Sequence, residues 1–300
     1  MTHWLVANPN AGSGDRGREF WLDVLASAGV ADPECCDFAD DDWIGRVRAG
    51  DVVMVAGGDG SVNRGAQVCV EKHATLAVLP SGTANDFARN LGLPEEPADL
   101  CALIASGTRQ WVDIAEFGHS LFLNVAHIGL GTLPVRESEG AEKKMFGRFS
   151  YGIGLLRRIN AKRGFKAEIR CDKGFVKGRW LSIAVASGAF FGGGNEIPEA
   201  SANDGQLDVI AVKPRPLFQL LLTFLMVRLN RSSPQRTSTI VHLKGTHCSV
   251  QTGKPKTVTA DGDVVGETPL KVLCRPHVLS VIGPTVVSTG SSSSAAGGQR

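Results

Sequence analysis

Val52-Val53-Met54-Val55-Ala56-Gly57-Gly58-Asp59-Gly60-Ser61 changes character at its midpoint. Five apolar, mostly β-branched residues stop at a pair of glycines. That texture predicts a fully buried strand of a parallel sheet running into a tight turn. Glycine leaves no side chain between the backbone and a ligand. Val62, Gly65, Ala66, Cys69 and Val70 then follow at helical spacing, so the unit reads strand, glycine turn, helix. A helix N-terminus offers N–H groups and partial positive charge, and phosphate is its usual guest. Asp59 is the odd member, because a carboxylate repels phosphate unless a cation lies between them. The combination suggests Mg²⁺-nucleotide chemistry, although such a turn taken alone is equally a plain turn. Neither G-x-x-x-x-G-K-[ST] nor G-x-G-x-x-G occurs at this turn.

Working outward, the same unit recurs. Leu5-Val6-Ala7 reads as a strand leading into the polar loop Asn8-Pro9-Asn10-Ala11-Gly12-Ser13-Gly14. Phe20, Trp21, Val24, Leu25 and Ala28 then mark a helix closed by Gly29. A second strand is expected over 35–38, and Trp43, Ile44 and Val47 suggest a short amphipathic helix ending at Gly50. Leu76-Ala77-Val78-Leu79 is another buried strand, broken by Pro80-Ser81-Gly82-Thr83-Ala84-Asn85-Asp86-Phe87-Ala88-Arg89. Three such units predict an open α/β layer whose polar turns gather at the strand C-termini and line one crevice.

After a helix carrying Leu100, Leu103 and Ile104, the texture changes near residue 117. A strand is expected over 121–126, followed by a turn at His127-Ile128-Gly129. A helical, locally basic stretch spans 143–158. Strands are then predicted over 166–171, 179–187, 207–212, 238–243, 248–252, 257–260, 271–274 and 278–282, mostly antiparallel. Gly192-Gly193-Gly194-Asn195 reads as a mobile loop. Asp86 and Arg89, at i and i+3, are placed to pair. The expected division is an α/β domain over 1–117, a β domain over 118–276, and a disordered Ser/Gly/Ala-rich tail over 288–300.

Composition narrows the class. The 300 residues carry a net charge of +2 and no long basic block, which argues against nucleic acid as partner. Seven scattered cysteines without C-x-x-C spacing fit a reducing compartment. No basic and apolar leader opens the chain, and the apolar run 217–229 is too short to span a bilayer. A cytoplasmic protein is expected.

Taken in order, Asn8-Pro9-Asn10-Ala11-Gly12, Gly57-Gly58-Asp59-Gly60-Ser61 and the Pro80-to-Arg89 turn resemble the bacterial diacylglycerol-kinase-like lipid kinases, the group that includes sphingosine and ceramide kinases. Asn124-Val125-Ala126-His127-Ile128-Gly129, Asn203-Asp204-Gly205-Gln206-Leu207-Asp208 and Asp261-Gly262-Asp263 fall where that family keeps its later motifs. The resemblance implies an N-terminal α/β nucleotide domain similar to those of NAD kinase and phosphofructokinase, and a C-terminal β-sandwich. The final strand, 277–284, would return to the first domain, with the active site in the cleft between the two.

It also implies an ATP- and Mg²⁺-dependent kinase acting on a lipid hydroxyl at the inner membrane face; a homodimer is compatible with this. Asn8, Asn10, Gly57, Gly58, Asp59, Gly60, Ser61, Ser81, Gly82, Thr83 and Asn85 would surround the nucleotide. Asp261 would be the general base, with Asp59 ordering the cation network. Asp59, Asp204, Asp208 and Asp263 would hold metal. One departure stands out: the family commonly has Asp-Gly-Glu where this chain has Asp261-Gly262-Asp263, one methylene shorter. Glu267 is the alternative carboxylate, in a sequence that reads as a surface turn.

Overall fold

A computed structural model describes residues 1–12, 14–129, 164–198, 200–216 and 239–284. The basic stretch 143–158, the apolar run 217–229 and the tail from 288 lie outside these residues. The first half comprises β1 (His3–Ala7), α1 (Arg18–Ser27), β2 (Glu34–Asp37), β3 (Val52–Gly57), α2 (Asp59–Lys72), β4 (Thr75–Pro80), α3 (Asp86–Asn90), α4 (Pro97–Ser106) and β5 (Arg109–Phe117). There follow β6 (Ser120–Phe122), β7 (Val125–Gly129), β8 (Phe165–Cys171), β9 (Gly174–Trp180), β10 (Ser182–Ala186), β11 (Phe190–Phe191) and β12 (Asn195–Glu196). The last described elements are β13 (Leu207–Val212), β14 (Ile240–Gly245), β15 (His247–Thr252), β16 (Thr257–Ala260), β17 (Asp263–Glu267) and β18 (Leu270–Ile282).

The N-terminal layer is doubly covered, as its apolar strands require. Side chains alternate along β3, so Val53 and Val55 face the core under α2 while Val52, Met54 and Ala56 face α1 and α4. Val62, Ala66 and Cys69 bury the inner face of α2; Trp21 and Leu25 of α1 pack on the opposite face. Strands β2, β1, β3 and β4 run parallel in that order. Their registers align Ala7 with Ala56 and Gly57 with Pro80, so the three polar turns leave one edge of the sheet together.

The second half is a β-sandwich. One sheet, in the order β14-β13-β10-β7-β16-β17, pairs antiparallel throughout. It packs on the far part of the ten-stranded sheet, which also contains the N-terminal strands. Ile128, Ile183, Val185 and Val209 from one side meet Ile169, Trp180, Val250 and Val272 from the other.

Five local expectations are corrected. Residues 43–47 form a succession of hydrogen-bonded turns and no helix, although Trp43 and Val47 are buried as the spacing suggested. The strand expected over 179–187 is two strands: after Trp180 the chain crosses from one sheet to the other. Residues 127–129 continue β7, and 271–282 belong to one long strand, irregular between Arg275 and Leu279 where His277 is left-handed. Residues 263–267 pair with β16 as a strand whose five residues are all exposed, so no apolar alternation marks it.

Candidate active site

The turn cluster opens a cleft of about 740 Å³ lined by Asn8, Asn10, Ala11, Gly12, Phe38, Gly58, Asp59, Gly60, Ser61, Asn63, Arg64, Gln67, Gly82, Thr83 and Asp263. Its floor is the N-terminus of α2, capped by Gly58 in extended conformation. Asn8 Nδ2 donates to Ser61 Oγ at 2.8 Å, and Asn8 Oδ1 accepts from Asn10 N–H at 3.0 Å, tying the first turn to the helix. A Cβ on Gly82 would lie 2.5 Å from Gly58 Cα, so the second and third turns touch backbone to backbone. On the outer wall the Arg64 guanidinium pairs with Asp41 and lies 5.2 Å from the Phe38 ring centroid.

Three of the expected nucleotide residues support the cleft without lining it. Ser81 turns its hydroxyl into the core, accepting from Trp21 Nε1 at 2.9 Å and donating to Leu79 O at 3.2 Å. Asn85 folds back on Gly82, accepting its N–H at 3.0 Å and donating to its carbonyl at 2.8 Å. Gly57 lies beneath Ser61, whose Cβ would sit 2.5 Å from any Cβ there.

Asp59 bridges two helices. It stands in the first turn of α2, and its Oδ1 accepts the Phe87 N–H at the start of α3 at 3.0 Å. Burial pushes its carboxyl above the usual carboxylate range; the Phe87 N–H opposes that and the neighbouring Asp86 adds to it. Asp86 faces the other way. Its carboxylate accepts Gly193 N–H at 2.9 Å and Gly194 N–H at 2.8 Å, with Arg89 only at 3.9 Å. The triple-glycine loop is therefore pinned to α3, and the pairing expected within that helix is secondary.

Asp261 does not line the cleft. It opens the β16–β17 turn with φ 46°, and its carboxylate spans the two halves of the chain. Oδ1 accepts Asn124 N–H at 3.0 Å and Val125 N–H at 3.1 Å; Oδ2 accepts Leu123 N–H at 2.7 Å and Asn63 Nδ2 at 2.8 Å. Burial raises its pKa and these four donors oppose the rise. Asn63 is itself a cleft residue on α2, so Asp59 and Asp261 are joined through one helix.

The four carboxylates expected to share a metal are not brought together. Asp59 and Asp263 face the cleft. Asp208 is buried against His242 Nε2 at 2.6 Å and Lys244 Nζ at 3.4 Å, while Asp204 pairs with the same lysine at 3.2 Å. Cross-strand register explains this: β13 and β14 align Asp208 with Lys244, which neutralises both carboxylates locally. Glu267 is exposed at the far end of β17, outside the cleft lining. Among the described residues, no three His, Cys, Asp or Glu side chains form a metal-binding group.

Asn63, Arg64 and Gln67 line the cleft without having been singled out in the sequence. With Asp59 they form the polar face of α2, opposite Val62, Ala66 and Cys69, and that stripe was the available signal.

Comparison with known proteins agrees with this architecture. A diacylglycerol kinase catalytic domain model matches residues 2–117, and a YegS C-terminal NAD kinase beta sandwich-like domain model matches residues 129–283. The protein named "probable lipid kinase YegS-like" from Klebsiella pneumoniae is 30% identical over 233 residues, 76% of each chain. Its namesake from Pseudomonas putida is 35% identical over 167 residues, 55% of this chain and 56% of that one. An uncharacterized Synechocystis protein is 28% identical over 239 residues, 77% of this chain but 54% of its own length. A crystal structure from Bacillus anthracis, provisionally named a diacylglycerol kinase, superposes with a TM-score of 0.75 at 27% identity, covering 95% of this chain and 98% of that one. The chain thus belongs to the YegS-like lipid kinase family, with a diacylglycerol kinase catalytic domain followed by a YegS-type β-sandwich.

Proposed function

We propose that this protein is a lipid kinase that transfers the γ-phosphate of ATP to the free hydroxyl of diacylglycerol or a similar lipid, with Mg²⁺, at a membrane surface. The observation that carries the reading is the convergence of three polar turns and the α2 N-terminus on one cleft that also holds Asp59 and Asp263. Phosphoryl transfer needs positioning and charge neutralisation more than covalent help. Backbone N–H groups of the turns and the helix terminus suit phosphate oxygens. Two carboxylates facing that anion site fit a hydrated divalent cation, whose remaining ligands would be phosphate oxygens and water. Such a cation would neutralise charge on the phosphates. Asp204 and Asp208 are left out of this set because Lys244 and His242 already satisfy them.

Asp261 is the proposed destination of the hydroxyl proton. Burial leaves its pKa raised although four donors oppose the rise, and a carboxylate of raised pKa is the stronger base for a late proton transfer. No described helix is long and apolar enough to cross a membrane, which is compatible with a lipid taken from the surface. The test is a lipid panel (diacylglycerol, ceramide, a sphingoid base, phosphatidylglycerol) with labelled ATP. Asp261→Asn is expected to lower turnover about 10²–10⁴-fold on the accepted lipid while the fold survives. Absence of transfer to every lipid would remove the kinase reading, and equal turnover by mutant and wild type would remove Asp261 as base.

A further inference from the structure

We propose that Asn63 is the positioning residue that sets Asp261 at its working distance from the bound nucleotide. The inference rests on the lipid-kinase reading above. Of the four donors to the Asp261 carboxylate, Leu123, Asn124 and Val125 are backbone groups of the second half of the chain. Asn63 alone comes from the first half, and from α2, the helix whose N-terminus floors the cleft. Without it, nothing among these contacts would relate the carboxylate to the phosphate-binding helix.

The amide is held in one orientation. Its Nδ2 donates to Asp261 Oδ2 at 2.8 Å and to Leu121 O at 3.3 Å. An ionised carboxylate and a carbonyl are both acceptors, so the amide nitrogen must face them. Its Oδ1 accepts Gln67 Nε2 at 2.7 Å, one turn further along the exposed face of α2. Gln67 opposes a flip that would turn the Asn63 oxygen against the carboxylate. A donor chain thus runs from Gln67 through Asn63 to Asp261, with every polar group of the Asn63 side chain engaged.

Asn63→Asp keeps shape and removes both donors. Misplacing a catalytic group by about 1 Å costs on the order of 10²-fold, so turnover at saturating lipid should fall about that far. The KM for ATP should rise by a smaller factor than turnover falls, because Asn63 lines the cleft but the phosphate-binding turns are untouched. Placed in an Asp261→Asn background, Asn63→Asp should cause no further loss, since residues acting as one unit are not additive. Turnover of the single variant close to wild type overturns the proposal. So does a loss in which ATP affinity and melting temperature collapse together, which is the signature of a purely structural latch. A wild-type-like Asp261→Asn protein removes the base assignment itself, whereas a dead Asp261→Asn with an active Asn63→Asp removes only the role of Asn63. Should Asn63→Asp fail to fold, Gln67→Glu at its exposed position is read instead. It should lower turnover about tenfold, the low end of what losing a supporting partner of a functional group costs, with a smaller change in the ATP KM, and no change in turnover there also overturns the proposal.

Discussion

Asp59 is pulled in opposite directions by its surroundings. Burial and the nearby Asp86 disfavour its charge, the Phe87 N–H favours it, and the balance leaves its pKa raised above 3.8. The folded protein then holds a proton that the unfolded chain releases. Between 3.8 and the raised folded value, stability falls as pH rises; above that value the full cost of ionisation is present. An asparagine can still accept the Phe87 N–H and never ionises. Asp59→Asn, freed of divalent metal, should therefore melt above wild type at pH 8, with the difference closing towards pH 4, while kinase activity is lost. Identical melting temperatures across that range would show that the carboxylate is not held against its own charge. This destabilising charge is the kind that a cation site retains, because a bound cation would offset it.

The turns act as elements, and the second and third meet backbone against backbone. A Cβ on Gly82 would come 2.5 Å from Gly58 Cα, backbone against backbone, whereas a Cβ on Gly58 would reach Gly82 Cα at 3.4 Å, an ordinary contact. Relief of the first clash requires β3–α2 and β4–α3 to move apart. Gly82→Ala should thus raise the ATP KM by about tenfold or more, a loss of about 1.4 kcal/mol in binding. Gly58→Ala should raise it far less, and steady-state kinetics on the pair would expose the reverse order. These strand–glycine–helix units were legible because each is a local event: a β-branched run, a break, a periodic helix. The cleft residues on the turns, from Asn8 to Thr83, came with the pattern, whereas Asn63, Arg64 and Gln67 on the helix between them did not. What lay beyond it depended on distant partners. Trp43 and Val47 are buried from a chain of turns that copies helical spacing. Trp180 ends one sheet just before Ser182 begins another. Asp208 was drawn away from the cleft by the β13–β14 register, which no local stretch specifies.

At the scale of the whole molecule, β18 decides how the halves unfold. It runs antiparallel to β15 and β5, then parallel to β4 at Ser280 and Val281. Its side chains enter three cores: Val272 and Cys274 in the sandwich, Leu279 and Val281 beneath α2, and Ile282 beside α1 and α4. The bend between those parts is held by buried Asp113, which accepts His277 N–H at 2.9 Å and Gly205 N–H at 2.6 Å. Thr75 and Ser280 hydroxyls meet at 3.1 Å across the parallel pair. A strand shared this way leaves neither half able to lose its core without exposing apolar surface of the other. Unfolding should therefore be a single transition. Leu279 is fully buried in the N-terminal core, and Leu279→Ala should cost about 2–5 kcal/mol. The decisive readout is where that cost is felt. In native-state hydrogen exchange, amides of β4 and of β15 should lose protection by the same amount, although only β4 neighbours the deleted atoms. If β15 keeps its protection while β4 loses it, the sandwich folds by itself and β18 is a tether; equal losses make the two halves one cooperative unit, with the cleft fixed between them by the same strand.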